Sequence, residues 1–166
     1  MALNTPDFDQ ERAWLEQVLT GQIPLGQAMA LRIERLDSCG IVLAAPLAPN
    51  VNDKGTAFGG ALVSLMILAG WSLPRLALRR AGLSAELVIG RCEVRFIKPV
   101  AGAFRAECDW PPAAEVDDFT GRLSATGRAR LELAPRIVSI DPCEVAATLQ
   151  ARYAGLGKPP LEARRD

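Results

Sequence analysis

The chain has no histidine among its 166 residues, and that absence removes several chemistries at once. A serine or cysteine nucleophile activated by an imidazole cannot be built, nor can a catalytic metal centre held by imidazole nitrogens. Any general base must be a carboxylate, lysine, tyrosine, thiol or chain terminus. No metal and no cofactor is expected. Net charge is missing too, since 19 Lys and Arg balance 19 Asp and Glu, and no basic cluster stands beside aromatics. Neither a nucleic-acid footprint nor a polybasic membrane patch is present. The four cysteines, Cys39, Cys92, Cys108 and Cys143, include no C-x-x-C pair. This argues against a zinc site and for reduced thiols in a cytoplasmic protein. The first residues lack the basic and apolar regions of a signal peptide. There are no internal repeats, and the length suits one domain with a core of its own.

What is present centres on the stretch from Asn50 to Leu62 and the apolar run it opens. Asn50, Asn52, Asp53 and Gly55 are turn formers, so a helix is expected to begin only near Thr56. Residues 61–73 are apolar all round, broken only by Ser64, Gly70 and Ser72, which predicts a helix buried on all sides. The run is too short for a bilayer, which takes about 20 residues. Gly59 and Gly60 at the first turn let a ligand or another backbone approach the unpaired N–H groups there, where the helix dipole favours negative charge. Close packing of helix on sheet is the alternative use of those glycines.

Around this helix the chain reads mainly as strands. Residues 7–20 form an amphipathic helix. Residues 29–36 and 41–47 make two strands joined by a turn at Asp37-Ser38-Cys39-Gly40. After the long helix, residues 85–97 form a long strand. It carries Val88, Cys92, Val94 and Phe96 on one face and Arg91, Glu93 and Arg95 on the other. Residues 104–110 alternate as a fourth strand, a polar proline-containing loop follows, and residues 123–133 alternate as a fifth that Pro135 bends or ends. A sixth runs through Val145 and Tyr153. The expected organisation is an N-terminal helix (1–22), one α+β domain (23–157) and a loose tail (158–166). The domain is an antiparallel sheet of five to six strands wrapped around one long central helix, whose open edge predicts a dimer or tetramer.

This order resembles the hot-dog-fold thioesterases, as do the Asn-x-x-Gly-Thr-Ala-Phe-Gly-Gly motif over residues 52–60 and Lys98-Pro99-Val100. More narrowly, it resembles the family typified by the C-terminal domain of the bacterial protein YiiD. The resemblance implies hydrolysis of acyl-CoA or acyl-carrier-protein thioesters at a site between subunits. On that footing Asn52 holds the attacking water or the thioester, and the backbone near Gly60 stabilises the oxyanion. Asn50, Gly55, Thr56, Phe58, Gly59 and Lys98 are expected beside the substrate. The motif histidine of related enzymes is Phe58 here, and their helix carboxylate falls on Ile67. Ser64 and Glu93 are the candidate assisting groups, with Glu86 and Asp53 behind them. A solvent-facing charge ladder is the alternative for Glu93. A binding module for acyl-CoA or carrier protein, with no catalysis, is the competing reading. Trp71, Phe58 and Phe96 are candidates for an acyl pocket.

Overall fold

A computed structural model describes residues 6–157; the expected tail lies outside them. The centre is α3 (Gly59–Arg80), with twelve buried residues, among them Leu65, Met66, Leu73 and Leu76. This helix is long and apolar enough to span a bilayer. What makes it a core helix is the sheet that covers it, from which Ile33, Leu43, Ile137, Leu149 and Tyr153 point inward. Its C-terminal end is tied to α1 (Phe8–Glu16), where Arg80 donates to both carboxylate oxygens of Glu11 at 2.7 Å.

The sheet has seven antiparallel strands: β1 (Arg32–Leu36), β2 (Gly40–Ala45), β3 (Ala85–Phe96), β4 (Phe104–Asp109), β5 (Arg128–Leu133), β6 (Arg136–Ser139) and β7 (Glu144–Gly157). Their order is β1-β2-β4-β6-β7-β3, and β5 also pairs with β7. The seventh strand arises because the chain resumes as β6 after Pro135, so β5 and β6 pair with successive halves of β7. β3 pairs with β7 alone, which leaves its outer edge open.

Local chemistry shifts several boundaries from the sequence reading. The central helix begins at Gly59 rather than near Thr56, because residues 51–57 close on themselves through a Val51–Ala57 bridge. Strand β1 starts at Arg32, since Pro24 opens a short helix, α2 (Pro24–Ala28), with proline in its first turn. The expected loop after Pro111-Pro112 and the first part of the expected strand 123–133 are instead helix α4 (Ala113–Thr126). Phe119 and Leu123, four residues apart, both face the core, and Gly127 at φ 72° ends the helix so that only 128–133 is strand. Val88 does not share a face with Cys92, Val94 and Phe96. A bulge at Gly90 resets the alternation, and Leu87 and Ile89 turn inward instead.

Candidate functional site

The loop ahead of α3 is held by two asparagines with different duties. Asn50 is buried, and its Nδ2 donates to the carbonyls of Met29 (3.0 Å) and Pro46 (2.7 Å). Two carbonyl acceptors fix which atom of the amide is nitrogen. Asn52 closes the turn: Oδ1 accepts from the N–H of Lys54 (2.8 Å) and Thr56 (3.1 Å), and Nδ2 donates to Thr56 Oγ1 (2.8 Å). Gly55, at φ 78°, supplies the left-handed step this turn needs. Downstream, Ala57 donates to Val100 and Phe58 to Asn50, both at 2.7 Å, and this aims the chain into the helix.

At the start of α3 the N–H groups of Ala61 and Leu62 both donate to the carbonyl of Phe58. Among the described residues, those of Gly59 and Gly60 donate to nothing, and no side chain caps the helix. Two unpaired donors at the positive end of a 22-residue helix favour an oxygen that is gaining negative charge. Gly60 stands in the wall of a cleft of about 280 Å³, with Asn50 beside it and Leu25, Ala28, Val51, Phe58, Ala61 and Ser64 lining the rest. The Phe58 ring fills the space above Gly60, and a Cβ on Gly59 would meet the Phe96 ring at 3.4 Å. Ser64 Oγ donates back to the Gly60 carbonyl at 2.8 Å, so its oxygen retains its capacity to accept.

The structure thus brings Asn50, Phe58, Gly59, Gly60 and Ser64 together. Asn52, Gly55 and Thr56 lie behind them as the turn that sets their position. Glu93 is placed elsewhere: it sits opposite Gln150 on the outer face of the sheet, among Arg91, Glu132 and Arg152. Lys98 lies just past the end of β3, between Phe96 and Val100 near the start of α3, but it pairs with Glu144 and does not line the cleft. Ile67, at the position of the absent carboxylate, gives its carbonyl to the Tyr153 hydroxyl (2.8 Å). No charged side chain lines the cleft. Among the described residues no group of histidine, cysteine, aspartate or glutamate could hold a metal. The wall supplied by α2 was not legible beforehand. Pro24 as a helix opener was its one signal, and it reads equally well as the end of the helix before it.

Comparison with known proteins gives this geometry its context. A protein of unknown function from Chlorobaculum tepidum TLS is 32% identical with a TM-score of 0.85, over 91% of this chain and 97% of that one. A "putative thioesterase" from Shewanella oneidensis is 21% identical with a TM-score of 0.76, over 89% and 99%. PA5026 from Pseudomonas aeruginosa is 24% identical with a TM-score of 0.75, over 88% and 95%. These likenesses carry the fold, an antiparallel sheet around a central helix in the hot-dog manner. The family described as "Putative thioesterase (yiiD_Cterm)" matches residues 12–156, nearly the whole described chain. With the wrapped helix, the paired glycines and the uncapped helix start all in place, the chain belongs to this thioesterase family of thioester hydrolases.

Proposed function

We propose that the chain hydrolyses acyl-CoA or acyl-carrier-protein thioesters, with the carbonyl oxygen held by the N–H groups of Gly59 and Gly60. The observation that carries this reading is the pair of unpaired donors in the first turn of α3, one of them, Gly60, in the wall of a mainly apolar cleft. Water adds to the carbonyl carbon, negative charge gathers on the oxygen between the two donors, and the C–S bond breaks to release a thiolate. A thiol is acidic enough, with a pKa of about 8.5, to leave without a dedicated acid. The products are a carboxylic acid and a free thiol. Asn50 Oδ1 accepts nothing within the described residues, and Ser64 Oγ can also accept. These two groups orient the water in the role the sequence reading gave to Asn52.

With no carboxylate in the cleft, the water loses its proton to solvent. Rate enhancement then rests on positioning and oxyanion stabilisation, and one lost oxyanion donor typically costs about a hundredfold to a thousandfold. The open edge of β3 supports a dimer, since Val88 (43%) and Phe96 (56%) stand exposed along it. A second copy paired there covers the half-buried face of α3, which carries Val63, Ile67 and Trp71. The four free thiols suit a reducing cytoplasm.

The test is release of free thiol from a panel of acyl-CoAs, followed against pH. Turnover that rises steadily with hydroxide concentration is expected, whereas a plateau above the carboxylate range would identify a base outside the cleft. The same lack of a carboxylate favours a second reading, an acyl-CoA binding module. That reading holds if acyl-CoA raises the melting temperature while no thiol is released.

A further inference from the structure

We infer that the cleft between α2 and the first turn of α3 takes an acyl chain of medium length, and that Ala28 sets the limit. This rests on the thioester reading above and deepens it. The cleft is lined by Gly60, one of the two oxyanion donors, and by Ser64 one turn on, so it supplies the wall within this subunit that adjoins a thioester seated on those N–H groups. That wall is apolar. Leu25 (50%), Val51 (46%) and Phe58 (58%) surround one opening, three of the large hydrophobic side chains that the described fold leaves exposed. Such a rim marks a ligand groove more often than an idle surface. The amide nitrogen of Asn50 is already bonded to two carbonyls, so the one amide in the wall places no unmet donor against a hydrocarbon.

Its size is bounded because α2 cannot retreat. A Cβ on Gly26 would lie 2.0 Å from the Leu19 carbonyl oxygen and 3.0 Å from Leu31 Cδ2, so the α2 backbone is pressed directly on the core. Opposite that anchor, Leu25 and Ala28 line the cleft. A methylene fills roughly the volume of a liquid water, about 30 Å³, so 280 Å³ holds on the order of nine. Chains up to roughly eight to ten carbons fit within it, and longer ones extend beyond the wall that Leu25 and Ala28 supply.

The experiment is a chain-length series from acetyl to palmitoyl-CoA, read as kcat/KM, alongside melting shifts from the matching S-alkyl-CoA thioethers, which cannot be hydrolysed. In the wild type both measures should climb with length, kcat/KM by about fourfold per methylene, and then level off near eight to ten carbons. Ala28→Trp, at an exposed helical position, should bring the plateau to about four carbons and lower the octanoyl to butyryl ratio at least tenfold. Leu25→Asp, also exposed, should weaken the longer chains alone, and it decides the matter if the tryptophan variant does not fold. Melting shifts that follow this pattern without any thiol release would keep the cleft and remove the hydrolase reading. Responses independent of length, still rising at palmitoyl, or unchanged in both variants would overturn the cleft.

Discussion

The ring of Phe58 occupies the space that a side chain on Gly60 would need: a Cβ there would stand 2.4 Å from Phe58 Cε1. The glycine is therefore what permits the aromatic to cap the first turn beside the free N–H groups. Because the ring is exposed, it can swing away when challenged. Gly60→Ala should leave the melting temperature within a few degrees, since alanine also favours helix. It should lower kcat at least tenfold by shifting the ring across the donors. The double variant Phe58→Ala, Gly60→Ala should recover part of the loss. Unchanged turnover in Gly60→Ala would separate the glycine from the chemistry.

The two asparagines should separate in mutation. Asn52→Ala removes three side-chain bonds from the turn. It should cost about 2 kcal/mol, seen as a fall of roughly 4–8 °C in melting temperature, with a smaller effect on kcat once folded. Asn50→Asp places a carboxylate against the carbonyls of Met29 and Pro46, which favour its protonated form. Its folded pKa would then lie above the unfolded one. Stability is therefore retained below the unfolded value and lost as pH rises, so the deficit against wild type should be larger at about pH 8 than at about pH 4. Denaturant melts at the two pH values check the sign.

Gly70 faces Tyr153 across the core, and a Cβ there would come within 2.4 Å of the hydroxyl that donates to Ile67. Both partners are fully buried and neither can step aside. Gly70→Ala should therefore destabilise by about 1–3 kcal/mol despite its better helix propensity. Tyr153→Phe in that background should relieve part of the crowding, since Cζ and Cε2 would still stand 2.9 and 3.0 Å from the new Cβ, at the expense of the bond to Ile67. Chemical denaturation of the four species gives the coupling.

The cysteines offer a check on burial. Cys39, Cys92 and Cys143 are exposed, while Cys108 is buried and desolvation pushes its thiol up to about 12. A thiol-labelling reagent at neutral pH should count three fast thiols in the native protein and a fourth only on unfolding. The unfolded thiol ionises at its ordinary value and the folded one does not. This group's contribution to stability is thus whole below that value and is lost as pH rises toward 12. Four equally fast thiols would contradict the packing of β4.

What the sequence made legible follows from pattern strength. The apolar run of α3, the turn at 37–40 and the alternation in β4 each had one physical interpretation, and the structure has all three. The alternation of Leu123, Ala125 and Gly127 reads as strand and the stretch before it as loop, although Phe119 and Leu123 also stand on one face of a helix. The packing of Phe119 and Leu123 against Gly155 in β7 decided for helix. At the site, the motif put Gly59 and Gly60 in the first turn of the central helix, although it started that helix near Thr56, and it could not tell which asparagine faces the cleft. That depends on Met29, which lies 21 residues away from Asn50 in sequence.

One consequence of the strand order concerns synthesis. β7 lies C-terminal to every element it joins, yet it pairs with β3, β5 and β6. Until residues 144–157 leave the ribosome, β3 has no neighbour, and α3, as apolar as a bilayer-spanning segment, has only part of its cover. A nascent chain halted before β7 should present this helix to chaperones or to a membrane surface. The hazard ends within the fourteen residues that finish the sheet.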